Sequence, residues 1–183
     1  MTLARIAAAA LAIAALAGCT PSPSPSVTTP PITTPSITPS ATTTPTSSWT
    51  GEEAKIADQI AAYVAWLNAV YTDPNGPILD APKYLTNVSP TNVQTAVQEQ
   101  VIKFHNDGFK EVGAATVSLT SVAPAAAGSY DARVCLDTTT VTVTNNAGAT
   151  VDTGPKRGAA LYSMQKGADA VWRIAHIQGV GTC

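Results

Sequence analysis

At Gly108 the spacing of apolar residues changes from a helical repeat to an alternating one, and no other feature of the chain restricts its fold as tightly. Before that point Ile56, Ile60, Tyr63, Val64, Leu67, Val70 and Tyr71 recur at three- and four-residue steps, the stripe of a helix with one buried face. Thr50-Gly51-Glu52-Glu53 predicts a capping box at its start, with Thr50 as N-cap and Glu53 reaching back. Asp73-Pro74-Asn75-Gly76-Pro77 ends it, since proline donates no amide hydrogen and glycine favours turn geometry. A short helical piece is expected at 81–85. Ser89-Pro90 then opens a second long helix, proline suiting its first turn, with Val93, Val97, Val101 and Phe104 on the buried side. Beyond Gly108 the period of two predicts strands at 111–122, 130–144, 159–166 and 170–180. Asn145-Asn146-Ala147-Gly148 and Gly167-Ala168-Asp169 supply turns between them. In the second strand Tyr130, Ala132, Val134 and Leu136 are even-numbered, whereas Val141 and Val143 are odd. A one-residue change of phase requires a bulge or bend near 137–140. Helices followed by strands make an α+β domain.

The N-terminus sets where such a domain works. Arg5 precedes an uninterrupted apolar run, Ile6 to Ala17, whose helix would rise about 18 Å. A hydrocarbon core of about 30 Å is too thick for it. A basic start, a short apolar centre and small residues at its end read as a secretion signal over 1–18. Leu16-Ala17-Gly18-Cys19 resembles the bacterial lipobox, in which the cysteine thiol receives a diacylglyceryl group and becomes the first mature residue. The resemblance implies lipidation at Cys19 and a protein attached to the membrane through this anchor, on the outer face of the cytoplasmic membrane. One acyl chain binds only marginally at about 0.8 kcal/mol per buried methylene, and two anchor stably.

Residues 19–48 follow as the lipidated cysteine and a Thr/Ser/Pro tether. It carries no charge, no aromatic ring and no apolar period with which to offset the entropy of ordering. Its prolines favour extended geometry, with a reach on the order of 90 Å. Ser and Thr interleaved with Pro also fit a glycosylated stalk. The folding domain is therefore 49–183.

Cys135 and Cys183 lie in that domain, and in an oxidising compartment they are expected to form a disulfide. With ten Lys and Arg against twelve Asp and Glu, the chain has a formal charge of −2 and no basic stripe interleaved with aromatics. This balance argues against a nucleic-acid partner.

The order of elements, the bent central strand, "RVCLD" at 133–137 and "VWRIAHIQGVGTC" at 171–183 together resemble the NTF2-like (cystatin-like) α+β architecture. With the lipobox and the tether, they are similar to lipoproteins of high-GC Gram-positive bacteria and their phages. The resemblance implies a cone, N-terminal helices packed on a curved four-stranded antiparallel sheet, in a family that mostly lacks an assigned activity. The scaffold hosts isomerases, dehydratases and purely binding proteins, so the fold does not decide the function.

Chemistry inside such a cone would need an acid–base pair. His176 shares a face of the last strand with Trp172 and Ile174 if the alternation is regular, and Asp137 is its nearest carboxylate by strand layout. Both faces of that strand contain apolar residues, so either could point at the helices. Tyr162 could donate to an oxyanion or simply pack, and Trp66, off the main helical stripe, could line a pocket mouth or cap the core. These four are the candidate pocket residues. His105, beside Asn106-Asp107-Gly108, reads as a helix-end residue favoured by the dipole. No nucleophile elbow, Walker loop, zinc helix or paired CxxC is present, and the motifs require no cofactor and no metal. The leading expectation is a tethered domain that binds a ligand or envelope protein without catalysis. One version is a phage superinfection-exclusion lipoprotein; the competing reading is an NTF2-like hydratase or isomerase acting on a small apolar molecule.

Overall fold

The helical stripe forms α1, Gly51–Thr72, in a computed structural model that describes residues 49–87 and 92–183. Cys19, the signal and the tether lie outside the described residues. Ile56, Ile60, Tyr63, Val64, Trp66 and Val70 are buried along α1, while Leu67 and Tyr71 are partly covered at its margin. The expected capping box does not form at Thr50, whose side chain makes no cap bond. Gly51 takes a left-handed φ of +60°, which departs from the helical geometry a capping box needs at its first helical residue. The first turn is held instead by Glu52, which binds across to the sheet (below).

The chain then folds back over α1 as a 3₁₀ turn, Ile78–Lys83, in place of the helical piece expected at 81–85. Gly76 permits this reversal. A Cβ there would meet the Asp73 carbonyl oxygen at 2.8 Å and the Ala69 carbonyl oxygen at 3.0 Å. Helix α2, Val93–Asn106, starts later than the Ser89-Pro90 signal suggests, directly after Asn92 in left-handed geometry. Ser89 and Pro90 lie outside the described residues. Val93 and Val101 are its buried positions, and Val97 and Phe104 pack at the edge of the core.

Seven strands follow: β1 Lys110–Val112, β2 Thr116–Pro124, β3 Tyr130–Asp137, β4 Thr142–Thr144, β5 Thr150–Val151, β6 Arg157–Lys166 and β7 Trp172–Gly181. They form a four-stranded antiparallel sheet in the order β2-β3-β6-β7 and a small sheet in the order β1-β4-β5. Two of the expected long strands are thus divided. The strand predicted over 111–122 breaks at Gly113, where φ is +100°. The strand predicted over 130–144 turns at 138–141, where the Val141 amide donates to the Thr138 carbonyl. The phase change is real, but a tight turn makes it: Asp137 accepts from the Thr139 amide and hydroxyl, and the chain leaves one sheet for the other. Val141 and Val143 are buried on the far side of that turn.

Helices pack on the inner face of the larger sheet. Ala132, Val134, Ala160, Tyr162, Met164, Trp172 and Ile174 meet Ile56, Ile60, Tyr63 and Leu85 in one core. Leu85 also makes a parallel bridge to Ile174, so the segment after the 3₁₀ turn covers part of the β7 edge. The result is α+β, with helices on curved antiparallel strands. Cys135 and Cys183 are joined by a disulfide, their Cα atoms 5.8 Å apart.

Candidate functional site

Two of the four candidate pocket residues, Tyr162 and Trp66, bear directly on the space between helices and sheet. Tyr162, on β6, is 1% exposed and meets Tyr63 edge-on at 6.0 Å. Burial pushes the Tyr162 phenol up to about 12, so it is held protonated. Trp66 stacks on Tyr63 at 5.9 Å and lies 5.7 Å from Tyr84. Its indole N–H donates to the Pro77 carbonyl at 2.8 Å. The returning chain at 77–85 therefore closes over Trp66. Tyr63, three residues earlier, and Val70, four later, put it at helical spacing, so the stripe on α1 is broader than the seven residues that announced it. Met164 and Ile174, both wholly buried, occupy the sheet side of the same space.

His176 is not among them. The pairing of β6 with β7 shifts between Ser163↔His176 and Met164↔Ile174, leaving Ala175 as the extra residue. A bulge of one residue reverses the phase, so His176 does not share the face of Trp172 and Ile174 and is exposed, whereas Ile177 packs against the core. Asp137 is far from it. His176 lies opposite Ser163, and Ser163 opposite Asp131; Asp137 is six residues further along β3, about 20 Å at strand rise. Its partners are Thr139 and Arg157, the latter at 3.6 Å. The Thr139 hydrogen bonds and then the nearby guanidinium hold the Asp137 carboxyl below its ordinary value. The sequence-level pair His176–Asp137 is thus separated, and neither side chain reaches the core.

One open feature lies elsewhere. Between the end of α1, the loop after it and α2 runs a surface cleft of about 320 Å³, lined by Val70, Asp73, Ile78, Val101, Ile102 and His105 among others. Ile102 is 51% exposed at its edge. His105 Nε2 stands 2.6 Å from the Val70 carbonyl, which can only accept, so this nitrogen carries the hydrogen. The histidine expected to sit on its own helix end thereby also closes the last turn of α1. Gln98 donates to the Ile78 carbonyl at 3.1 Å and fixes the other wall. No pattern in the sequence announces this cleft, because its walls come from three segments.

At the opposite end of α1, Glu52 accepts from Lys55 at 2.8 Å, Lys166 at 2.9 Å and the Trp172 indole at 2.6 Å. Lys166 also lies over the Trp172 ring, 5.4 Å from its centre. The bonds from Lys55, Lys166 and Trp172 bring the Glu52 carboxyl down to about 2. This cluster is saturated internally and pins the first turn of α1 to β6 and β7. Among the described residues no three His, Cys, Asp or Glu side chains converge as a metal site.

No protein family model and no curated sequence matches the chain. Among solved structures, the intermembrane-space region of chloroplast protein ARC6 is similar with a TM-score of 0.51 at 14% identity, covering 70% of this chain and 97% of that one. A ketosteroid isomerase-like protein from Erwinia carotovora atroseptica gives a TM-score of 0.48 at 17% identity, covering 70% of this chain and 95% of that one. An NTF2-like superfamily protein from Salmonella enterica gives 0.47 at 15% identity, over 71% and 90% of the two chains. At these identities the likeness is one of fold alone, an α+β arrangement of helices on an antiparallel sheet.

Proposed function

We propose that this chain is a lipid-anchored extracytoplasmic protein whose NTF2-like domain binds a ligand or protein partner at the cell envelope without catalysing a reaction. The lipobox-like Leu16-Ala17-Gly18-Cys19 and the Thr/Ser/Pro tract support the anchor and spacer. The observation that carries the binding role is the occupied interior: Tyr63, Trp66, Tyr162 and Met164 are at most 4% exposed where a substrate of the cone would sit. Binding is then a surface property, and the cleft beside Ile102 and His105 is one concave surface available for it. Its mixed lining suits a partner that presents an apolar side chain flanked by hydrogen-bonding groups. The competing reading, a hydratase or isomerase acting inside the cone, requires those four side chains to move apart.

Detergent phase partition and cell fractionation test the anchor. The wild type should enter the detergent phase with the membranes, and Cys19→Ala should be released from them or accumulate as the uncleaved precursor. Retention of a cleaved, unlipidated Cys19→Ala protein in the membrane fraction would refute the anchor. Site-specific photo-crosslinking from position 102 tests the surface: one discrete adduct, abolished by Asn106→Arg at the exposed rim of the same cleft with the fold intact by circular dichroism, supports it. Crosslinks no more frequent than those from exposed Thr139 would refute it.

A further inference from the structure

The two sulfurs of the disulfide have different surroundings. Cys135 is 5% exposed on β3, whereas Cys183 is exposed after the end of β7. Arg157, on β6, directs Nη2 at Cys135 Sγ from 3.6 Å. The same guanidinium has Nε 3.6 Å from Asp137 Oδ2, its register partner across the β3–β6 pair, so two contacts orient it. The bond thus joins a buried residue, flanked by positive charge, to an exposed one.

We propose that this disulfide is a directional thiol-exchange site, with Cys183 as the position that takes up a low-molecular-weight thiol. The incoming thiolate attacks Cys183 Sγ, a mixed disulfide forms there, and the Cys135–Cys183 bond breaks with its electron pair on Cys135 Sγ. That thiolate forms beside the Arg157 guanidinium, which neutralises its charge. Exchange is faster when the departing sulfur is the better leaving group, and an adjacent cation makes it so. The return step is balanced in the same way: the Cys135 thiolate attacks Cys183 Sγ, the internal disulfide re-forms, and the small thiol leaves as its thiolate. Opening releases the end of β7 beyond the Ala159↔Gly181 pair from its covalent hold on β3. The proposal is independent of the cleft and of the lipid anchor.

The test uses the oxidised full-length protein and glutathione as the probe. The reaction is sampled early, quenched in acid and alkylated, and the modified peptides are mapped by mass spectrometry, with the Cys19 peptide scored separately. The expected map has glutathione on Cys183 and alkylation on Cys135, about tenfold over the reverse isomer. Arg157→Gln should slow opening about three- to tenfold, and Arg157→Lys should retain most of the rate. The Arg157 side chain is 56% exposed, and circular dichroism checks that the variants fold. Glutathione spread evenly, or found mainly on Cys135, overturns the proposal, as does an Arg157→Gln protein that opens at the wild-type rate. The wild-type map decides by itself if a variant does not fold.

Discussion

The side-chain amide of Asn68 and the backbone of Ala115 exchange two hydrogen bonds, each 2.9 Å long. Asn68 Nδ2 donates to the Ala115 carbonyl, and the Ala115 amide donates to Asn68 Oδ1. A helix residue thus pairs with the chain entering β2 much as a neighbouring strand would. Only an amide side chain of this length offers a donor and an acceptor in one fork. The pair sits at the junction where helical and strand halves of the sequence meet, and both partners are partly buried. Asn68→Asp replaces the donor with a second acceptor facing the Ala115 carbonyl, and should destabilise the fold by about 1–3 kcal/mol. Urea unfolding midpoints of the two proteins check this; equal midpoints would show that water replaces the pair at no cost.

Glu52 makes stability depend on acid. Its folded-state carboxyl lies at about 2, below the ordinary 4.5. A depressed carboxyl contributes fully above its unfolded value and loses that contribution as pH falls through the folded one. The Glu52 contribution should therefore be constant above about pH 4.5 and decline from there to about pH 2. Glu52→Gln should lower the thermal midpoint at pH 7 and flatten the acid limb between those values. Thermal melts across pH 7 to 2 measure it, and parallel curves for the two proteins would contradict it.

Removing the disulfide tests how much the chain relies on closing a long loop. Cys135 and Cys183 are 48 residues apart, for which the loop-entropy argument gives about 4 kcal/mol. Cys135→Ser with Cys183→Ser should lose roughly that amount in denaturant unfolding while retaining the far-ultraviolet spectrum of the folded state.

Met164 distinguishes a packed interior from a vacant one. It is wholly buried between Tyr130 and Ile174, its cross-strand partners. In a close-packed core Met164→Ala should cost about 2–5 kcal/mol. A cost under about 1 kcal/mol would indicate that the side chain borders open space, which would favour the reading of a catalytic cone.

The α+β class, the extent of α1 and the phase reversal near 137–140 were legible because each rests on residues adjacent in sequence. Ile56 to Val70 needed only the helical period, and the reversal needed only the parity of the apolar residues from Tyr130 to Val143. The form of the reversal was not legible. A bulge within one strand and a turn between two sheets satisfy the same parity, and the choice depends on whether β4 finds β1 and β5 as partners. The Thr50 capping box matched its motif but failed in the fold. Gly51 departs from helical geometry, and Glu52 finds Lys166 and Trp172 on strands more than a hundred residues away.

The candidate site divides along the same line. Composition, the apolar N-terminal run, the uncharged Thr/Ser/Pro tract and the two domain cysteines are local or additive properties, and the pairing of Cys135 with Cys183 was legible from them. The surroundings of each candidate side chain depended on partners that periodicity does not encode. One extra residue at Ala175 turned His176 to solvent. The chain at 77–85 sealed Trp66, and cross-strand register set Asp137 beside Arg157 rather than beside a histidine. Burial and pairing are sums over contacts distant in sequence, so only the assembled sheet and helices decided where this domain is closed and where it is open.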